Sequence, residues 1–117
     1  MSDRVVIEGL RCRARVGVTA AERRKPQRVL LDITFSMSLA RAGARDDLTA
    51  TVDYAAAATL AQRVAAAKPY RVVEAAAESI AAALLKEFPL VPTVTLRLRK
   101  FSVPGTDSVG VAITRDR

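Results

Sequence analysis

Lys100 is the residue of this sequence best placed to transfer protons. It ends a stretch, residues 94–100, in which apolar and polar side chains alternate, and it falls in the apolar set with Leu96 and Leu98. Successive side chains of a strand point to opposite faces, so the Lys100 ammonium group should emerge on the buried side of a sheet. A lysine partly removed from water releases its proton more readily, which suits a general base. The alternative is a strand-end lysine whose ammonium group reaches back to water.

Three further side chains could bind a polar ligand or move a proton. Glu22 lies in a polar connection, Tyr54 begins a first predicted helix, and Glu74 begins a second. Each also has an ordinary explanation: a solvated charge run for Glu22, core or cap packing for Tyr54, and a favourable helix dipole for Glu74. Glu, Lys and Tyr are among the few residue types left here for acid–base chemistry.

The sequence contains no histidine and one cysteine, Cys12. This composition excludes a zinc site of the usual ligand set, and also Ser-His-Asp and Cys-His nucleophiles. One cysteine cannot form an intrachain disulfide, which favours a reducing compartment. The N-terminus, from Met1 to Arg4, lacks a signal-peptide pattern, and no apolar run could span a bilayer. We therefore expect a cytoplasmic protein without such a zinc site and without a membrane contact.

Length and composition predict one globular domain over residues 1–117. Half of the residues are hydrophobic and 26% are charged, which argues against disorder. The formal net charge is +7, and a basic protein can attract nucleic acid. The charges are scattered along the chain, however, and aromatic clusters of the RNA-binding kind are missing. We therefore expect no nucleic-acid partner.

Two strands are predicted in the first third of the chain. Residues 29–39 alternate strictly, with every odd position apolar, as in a half-buried strand. Residues 5–18 alternate less regularly, and a bulge is plausible at Gly9, where Ile7 and Glu8 break the pattern. The predicted buried set of this first strand is Val6, Leu10, Cys12, Ala14, Val16 and Val18.

Two helices and two strands follow. Residues 53–67 are rich in alanine, with Thr51 or Asp53 as the cap, and the helix should end before Pro69. A second helix carries apolar residues at helical spacing: Val73, Ala77, Ile80 and Leu84. Strands are then predicted at 94–100 and 109–113, joined by a turn near Gly105, whereas residues 19–28 and 41–51 are predicted to be polar loops.

The order ββααββ indicates an α+β fold, in which two helices cover one face of a four-stranded antiparallel sheet. The other face would be wet or would line an assembly, since it holds Arg11, Arg13, Arg15, Arg97 and Arg99. Open edges of such a sheet invite pairing between subunits, and a closed ring would remove them.

Glu22, Tyr54, Glu74 and Lys100 lie in an ordered set of short segments. This set resembles the dihydroneopterin aldolase family of the folate pathway over nearly the full chain. The segments are Gly17-Val18 with Glu22-Arg23 and Gln27; Asp46-Asp47-Leu48 with Thr51-Val52-Asp53-Tyr54; Val73-Glu74 with Glu78; Arg99-Lys100; and Val109-Gly110-Val111 with Ile113. No single segment is specific, but the set at these separations is.

This resemblance implies the tunnelling fold, in which four ββααββ subunits form a barrel ring and two rings commonly stack into an octamer, with active sites between neighbouring subunits. It also implies that 7,8-dihydroneopterin is cleaved into 6-hydroxymethyl-7,8-dihydropterin and glycolaldehyde without a metal or another cofactor. Glu74, with Val73 beside it, would hold the amidine-like edge of the pterin. Lys100 would be the acid and base, Tyr54 would relay a proton, and Glu22 would bind the hydroxylated tail or orient Lys100.

The sequence departs from the family pattern in ways that bear on the substrate's tail. Phe101 stands where a proline usually follows the lysine, Asp53 replaces an asparagine before Tyr54, and residues 19–21 lack the common proline. Two alternatives stay open: an epimerase acting on dihydroneopterin or its triphosphate, and a non-catalytic pterin-binding relative. Arginines of segments 11–15 or 23–25 close to the site would favour a phosphorylated tail. The missing histidines exclude zinc-dependent relatives such as 6-pyruvoyl-tetrahydropterin synthase.

Overall fold

Four antiparallel strands form one sheet in the order β1-β2-β3-β4. The computed structural model describes residues 3–117, so Met1 and Ser2, part of the N-terminal pattern above, lie outside the described residues. The strands are β1 (Arg4–Ala14), β2 (Gln27–Ser36), β3 (Thr93–Lys100) and β4 (Val109–Asp116). Helices α3 (Tyr54–Ala66) and α4 (Val73–Glu87) lie between β2 and β3 in the chain. The predicted α+β architecture is confirmed.

Strand β2 runs through the centre of the core, as its alternation predicts. Its four apolar side chains on the helix-facing side are fully buried: Val29, Leu31, Ile33 and Phe35. Met37 is also buried, although the strand ends at Ser36, one residue earlier. At about 25 cal/mol per Å² of apolar surface removed from water, this row is a main contributor to stability.

A bulge in β1 changes which side chains of this strand face the core. The pairing with β2 shifts between Ile7 and Leu10, and Gly9 has a φ of 63°, which favours glycine. Val5 and Ile7 pack against the core before the bulge. Val6, predicted to be buried, is instead 47% exposed, so this prediction is wrong. The bulge was expected, but its extra residue reverses the alternation on one side.

The two predicted polar loops contain short helices. Helix α1 (Ala20–Arg24) follows β1, and α2 (Ala40–Arg45) precedes a 3₁₀ turn at Leu48–Ala50. Val18, expected on the buried face of the first strand, is 78% exposed because β1 ends at Ala14 and the chain turns away before α1. The order ββααββ describes the main elements, and these short helices add to it.

Small side chains allow helices α3 and α4 to lie close to the sheet. Asp53 caps α3, since its Oδ1 accepts hydrogen bonds from the backbone N–H groups of Ala55 (3.1 Å) and Ala56 (3.2 Å). Leu60 and Val64, the apolar pair named by the sequence pattern, are only partly buried. The fully buried residues of the two helices are mostly alanines: Ala57, Ala61, Ala65, Ala76, Ala77, Ile80, Ala81 and Leu84. No helix in residues 3–117 is long and apolar enough to cross a membrane.

The opposite face of the sheet is polar, as expected. Arg11, Arg13 and Arg97 are exposed there, whereas Arg99 is half-buried and donates to Asp32 Oδ2 at 3.2 Å. Asp32 Oδ1 also accepts from the backbone N–H of Gly9 at 2.8 Å, so one carboxylate connects the β1 bulge, β2 and β3. Strands β1 and β4 are the edges of the sheet.

Candidate active site

A cleft of about 250 Å³ brings together four of the five predicted site residues. Glu22 comes from α1, Val73 and Glu74 begin α4, and Lys100 ends β3. These positions are far apart in the sequence, and the fold gathers them at one end of the sheet. Tyr54, the fifth, is not among the residues that line this cleft.

Lys100 lies on the helix-covered side of the sheet, where the alternation places it. It pairs with Val29 of β2 and Val109 of β4, and it is half-buried next to the fully buried row that includes Leu98. Strands on both sides fix its backbone, so only the side chain is free to move in the cleft. A strand-end lysine that opens into a cleft rather than into bulk water is a suitable proton carrier.

Glu22 is held by a reciprocal cap at the start of α1. Its Oε1 accepts from the Thr19 backbone N–H at 3.1 Å and from Thr19 Oγ1 at 3.0 Å, while its own N–H donates to Thr19 Oγ1 at 3.2 Å. These hydrogen bonds lower the pKa of the Glu22 carboxyl group, and the positive charges of Lys100 and Arg23 add to the effect. Glu22 is therefore ionised near neutral pH, with Oε1 used by the cap.

Gly17 leaves the space that the Glu22 side chain occupies. A β-carbon on Gly17 would lie 2.3 Å from the Glu22 Cβ and 2.8 Å from its Oε2. Real β-carbons essentially never approach other atoms so closely, so any larger residue at position 17 must displace Glu22. The second carboxylate oxygen thus lies directly over the glycine backbone, inside the cleft.

Two polar side chains hold the segment before α1 in place. Arg23 donates from Nη1 to the carbonyls of Gly17 (2.9 Å) and Val18 (2.7 Å), and Gln27 Nε2 donates to Val16 O at 2.7 Å. In the sequence, Arg23 belongs to a charged run with Arg24 and Lys25 that is typical of a solvated loop, and the run does not indicate this structural task. The only sequence signal was its place in the family segment with Glu22 and Gln27.

Glu74 lies in the first turn of α4, where backbone N–H groups and the helix dipole favour a negative charge. The N-cap residue of α4, Val72, has no side chain that could cap the helix. In residues 3–117 the Glu74 carboxylate makes no hydrogen bond or ion pair, and it is exposed at the wall of the cleft. Both of its oxygens are consequently open to a ligand.

A main-chain bridge couples the segments that carry the two carboxylates. The Tyr70 N–H donates to Arg15 O at 2.8 Å, and the Gly17 N–H donates to Tyr70 O at 3.0 Å. Tyr70 is buried and its hydroxyl donates to Val64 O at 3.0 Å, which anchors the bridge on α3. The backbone segment before Glu22 and the backbone segment before Glu74 are thus joined by two main-chain hydrogen bonds. No sequence pattern indicated a role for Tyr70.

Tyr54 does not line this cleft within one chain. It is the first residue of α3 and is 65% exposed. The structure therefore brings Glu22, Val73, Glu74 and Lys100 together and leaves Tyr54 on an outer surface.

The charges that line the cleft are balanced, and its mouth is apolar. Glu22 and Glu74 face Lys100 and Arg71. None of the arginines of segment 11–15 lines the cleft, whereas Arg23 of segment 23–25 is bound to the carbonyls of two lining residues, Gly17 and Val18. The exposed apolar side chains at the mouth are those of Val18, Val72 and Val103. A flat, partly polar ring matches such a lining, since apolar walls with a few placed polar groups are typical of small-molecule sites.

The single cysteine does not take part in the cleft. Cys12 is buried in β1, and this burial raises the pKa of its thiol to about 11, so the neutral thiol packs as an apolar group. Within the part of the chain that the structure describes, no group of three or more His, Cys, Asp or Glu side chains could hold a metal ion.

Similarity in sequence and in structure assigns this α+β chain to a known family. The family model for dihydroneopterin aldolase (FolB) matches residues 5–114. The chain belongs to the dihydroneopterin aldolase family.

Relatives along the full length agree with this assignment. The dihydroneopterin aldolase of Methylorubrum extorquens is 37% identical, with the alignment covering 100% of this chain and 92% of the relative. That of Bacillus subtilis is 33% identical over 98% of both chains. Among solved structures, Escherichia coli dihydroneopterin aldolase in complex with neopterin has a TM-score of 0.90 at 31% identity, covering 97% of this chain and 98% of the other.

FolB of Vibrio cholerae superposes with a TM-score of 0.94 at 31% identity, over 100% of this chain and 99% of that one.

The fold is shared more widely than the family. A uricase from Bacillus fastidious reaches a TM-score of 0.70 at only 12% identity, and this chain covers 44% of it. The uricase likeness concerns the fold alone.

Proposed function

We propose that the protein is a dihydroneopterin aldolase that cleaves 7,8-dihydroneopterin into 6-hydroxymethyl-7,8-dihydropterin and glycolaldehyde. The observation that carries this proposal is the convergence of Glu22, Glu74 and Lys100 on one cleft from three separate elements. Full-length similarity to proteins that bear the aldolase name supports the same activity.

Glu74 is the group that binds the pterin ring. Its carboxylate is free of intramolecular partners among the described residues and can accept two parallel N–H bonds from the aminopyrimidinone edge. Val73 flanks it on the same wall of the cleft and contacts the ring. The bidentate pair orients the ring so that its tail extends toward Lys100 and Glu22.

Lys100 moves the protons of the reaction. The proton leaves the hydroxyl on the second tail carbon, the bond between the first and second tail carbons breaks, and glycolaldehyde departs. The electron pair enters the C=N bond of the substrate's own ring, and a proton is then returned to the first tail carbon. Because the substrate's own C=N bond accepts the electron pair, the cleavage requires neither a Schiff base nor a metal. Glu22, through Oε2, binds the tail hydroxyls or orients the Lys100 ammonium group.

Tyr54 completes the site from a neighbouring subunit and relays a proton. Two features support this arrangement: Tyr54 is exposed outside the cleft of its own chain, and β1 and β4 have unpaired edges that another subunit can extend. The assembly is a homotetrameric barrel ring or a stacked homo-octamer. We place it in the cytoplasm, where the single thiol stays reduced.

Product analysis tests the proposal. Purified protein incubated with 7,8-dihydroneopterin should release hydroxymethyl-dihydropterin and glycolaldehyde, and Lys100→Ala should not. Formation of the epimer alone, without cleavage, would replace the aldolase by the epimerase. Binding of the pterin with no turnover in either form would leave a non-catalytic relative.

A further inference from the structure

The polar face of the sheet carries arginines that the proposed reaction does not use. In the strand register, Arg13 of β1 lies directly opposite Arg28 of β2, and Arg11 and Arg99 flank the same β2 residue, Leu30. Side chains directly opposite on antiparallel strands are roughly 5 Å apart at Cβ, and like charges in such pairs are destabilising. The arrangement therefore favours an added negative charge.

The carboxylates on this part of the sheet do not supply that charge. Asp32 already accepts from the Gly9 N–H at 2.8 Å and from Arg99 Nη2 at 3.2 Å, so both oxygens are engaged. Glu8 lies in the β1 bulge opposite Asp32 and makes no ion pair within residues 3–117. Two carboxylates thus face five guanidinium groups, those of Arg11, Arg13, Arg28, Arg97 and Arg99.

A depression of about 200 Å³ lies within this basic surface, between β3 and β4. Arg97 is opposite Ala112 and Arg99 is opposite Gly110, so each guanidinium has a small residue beside it. Position 110 cannot hold a side chain, since a β-carbon there would lie 1.8 Å from a backbone oxygen of β3. Ser108 also lines the depression.

The Arg99 guanidinium, which lines this depression, has one N–H group without a hydrogen-bond acceptor. Its Nη2 is bonded to Asp32, but its Nε is buried and has no hydrogen-bond partner among the described residues. A buried donor without an acceptor is destabilising, so an oxyanion that draws the Arg99 guanidinium into contact would be favoured.

We propose that the depression between Arg97 and Arg99 binds a phosphate group of a small molecule, at a site separate from the pterin cleft. The planar fork of a guanidinium matches phosphate oxygens in pairs, and Ser108 adds a neutral donor. Lys100 and Arg99 point to opposite faces of the sheet, so the phosphate site and the proposed catalytic site can be occupied together.

Calorimetric titration of the intact protein with inorganic pyrophosphate tests this site. Binding should be measurable at low salt and should weaken at high salt, because salt screens exposed charges. Arg97→Ser should weaken binding about tenfold or more, the loss expected for one charge-assisted pair. Arg45→Ser removes the same charge from α2 and is the matched control, with affinity unchanged. Equal losses in both variants would mean a general charge effect and would overturn the site.

A second variant keeps every arginine in place. Ala112→Glu, at an exposed position, puts a carboxylate opposite Arg97 and should abolish pyrophosphate binding while leaving cleavage of dihydroneopterin unchanged. Equal affinity for pyrophosphate and ADP would identify the phosphate group alone as the ligand, and tighter ADP binding would identify a nucleotide as its source. Absence of pyrophosphate binding to the unaltered protein, or far tighter binding of single-stranded RNA that Arg97→Ser abolishes, would overturn the proposal.

Discussion

Gly17 and Glu22 share one space: a β-carbon on the glycine would lie 2.3 Å from the Cβ of the glutamate. The contact is close because the Thr19–Glu22 cap folds the side chain back over the chain that precedes α1. The position of the Glu22 carboxylate is thus set by the absence of a side chain five residues earlier.

Gly17→Ala should lower turnover and spare pterin binding. The new methyl group displaces Glu22 but does not touch Glu74, and a misplacement of about 1 Å in a catalytic group can reduce a rate about 100-fold. Steady-state kinetics and a neopterin titration measure the two effects separately. Gly43→Ala is the matched control, because nothing lies within 4 Å of a β-carbon there. Unchanged turnover in Gly17→Ala would contradict a role for Glu22 in the reaction.

Glu74→Ala should remove pterin binding. The ring edge would lose its acceptor and stay unpaired in the cleft, at a cost of about 2–5 kcal/mol in binding free energy. Titration of the protein with neopterin measures the loss. Glu78→Ala removes a carboxylate from the same helix, one that pairs with Arg115 at 2.7 Å, and should leave the affinity as it was. Normal binding by the Glu74 variant would place the pterin elsewhere.

Lys100→Ala should have the opposite profile. Binding is retained because Glu74 is intact, whereas turnover falls by about 100-fold or more, within the range that general acid–base groups contribute. Lys86→Ala, on the exposed side of α4, controls for the loss of one positive charge. Equal losses of affinity and rate would argue that Lys100 binds substrate rather than transferring protons.

Thr19→Ala should move the acid limb of the pH–rate profile to higher pH. Hydrogen bonds from Thr19 are the main cause of the lowered Glu22 pKa, so activity that needs the carboxylate is present above that pKa and lost as pH falls through it. Removal of the Thr19 hydroxyl raises the Glu22 pKa, and the loss then begins at higher pH. Thr49→Ala raises the pKa of Asp47 in the same way, away from the cleft, and should leave the profile unchanged.

Tyr54 should act across a subunit boundary. Tyr54→Phe and Lys100→Ala proteins, each with strongly reduced turnover alone, should regain activity when unfolded, mixed and refolded together. If each site takes its tyrosine from one neighbour, roughly a quarter of the sites in a random mixture carry both wild-type residues. Product formation before and after mixing measures this recovery. No recovery would mean that Tyr54 does not complete the site of another chain.

The main elements of the fold were predictable because each has a local pattern. Strict alternation identified β2, and Asp53 was recognisable as a helix cap. The prediction for Val6 was wrong although the bulge was predicted at the correct residue, Gly9. The sequence around a bulge does not indicate on which side of it the alternation of buried and exposed residues is reversed. Helix α1 has a capping box, Thr19 with Glu22, but only five residues, too few for helical periodicity.

The reactive residues of the candidate site were predictable, but what holds them was not. Residue type and family segments pointed to Glu22, Glu74 and Lys100, and the structure places them in one cleft. The interactions that fix this cleft join segments distant in sequence through backbone atoms, as in the pairing of Val16 with Tyr70. Every residue except proline has the same backbone donor and acceptor, so the sequence does not indicate which backbone groups will pair.

That pairing between Val16 and Tyr70 has a consequence for the divergence of this family. Its two hydrogen bonds use only main-chain groups, which every residue except proline supplies in full. Substitution can change what the two acidic side chains recognise and leave the separation of their backbones almost untouched. A scaffold of this kind can acquire new substrates by exchanging side chains on a preserved frame.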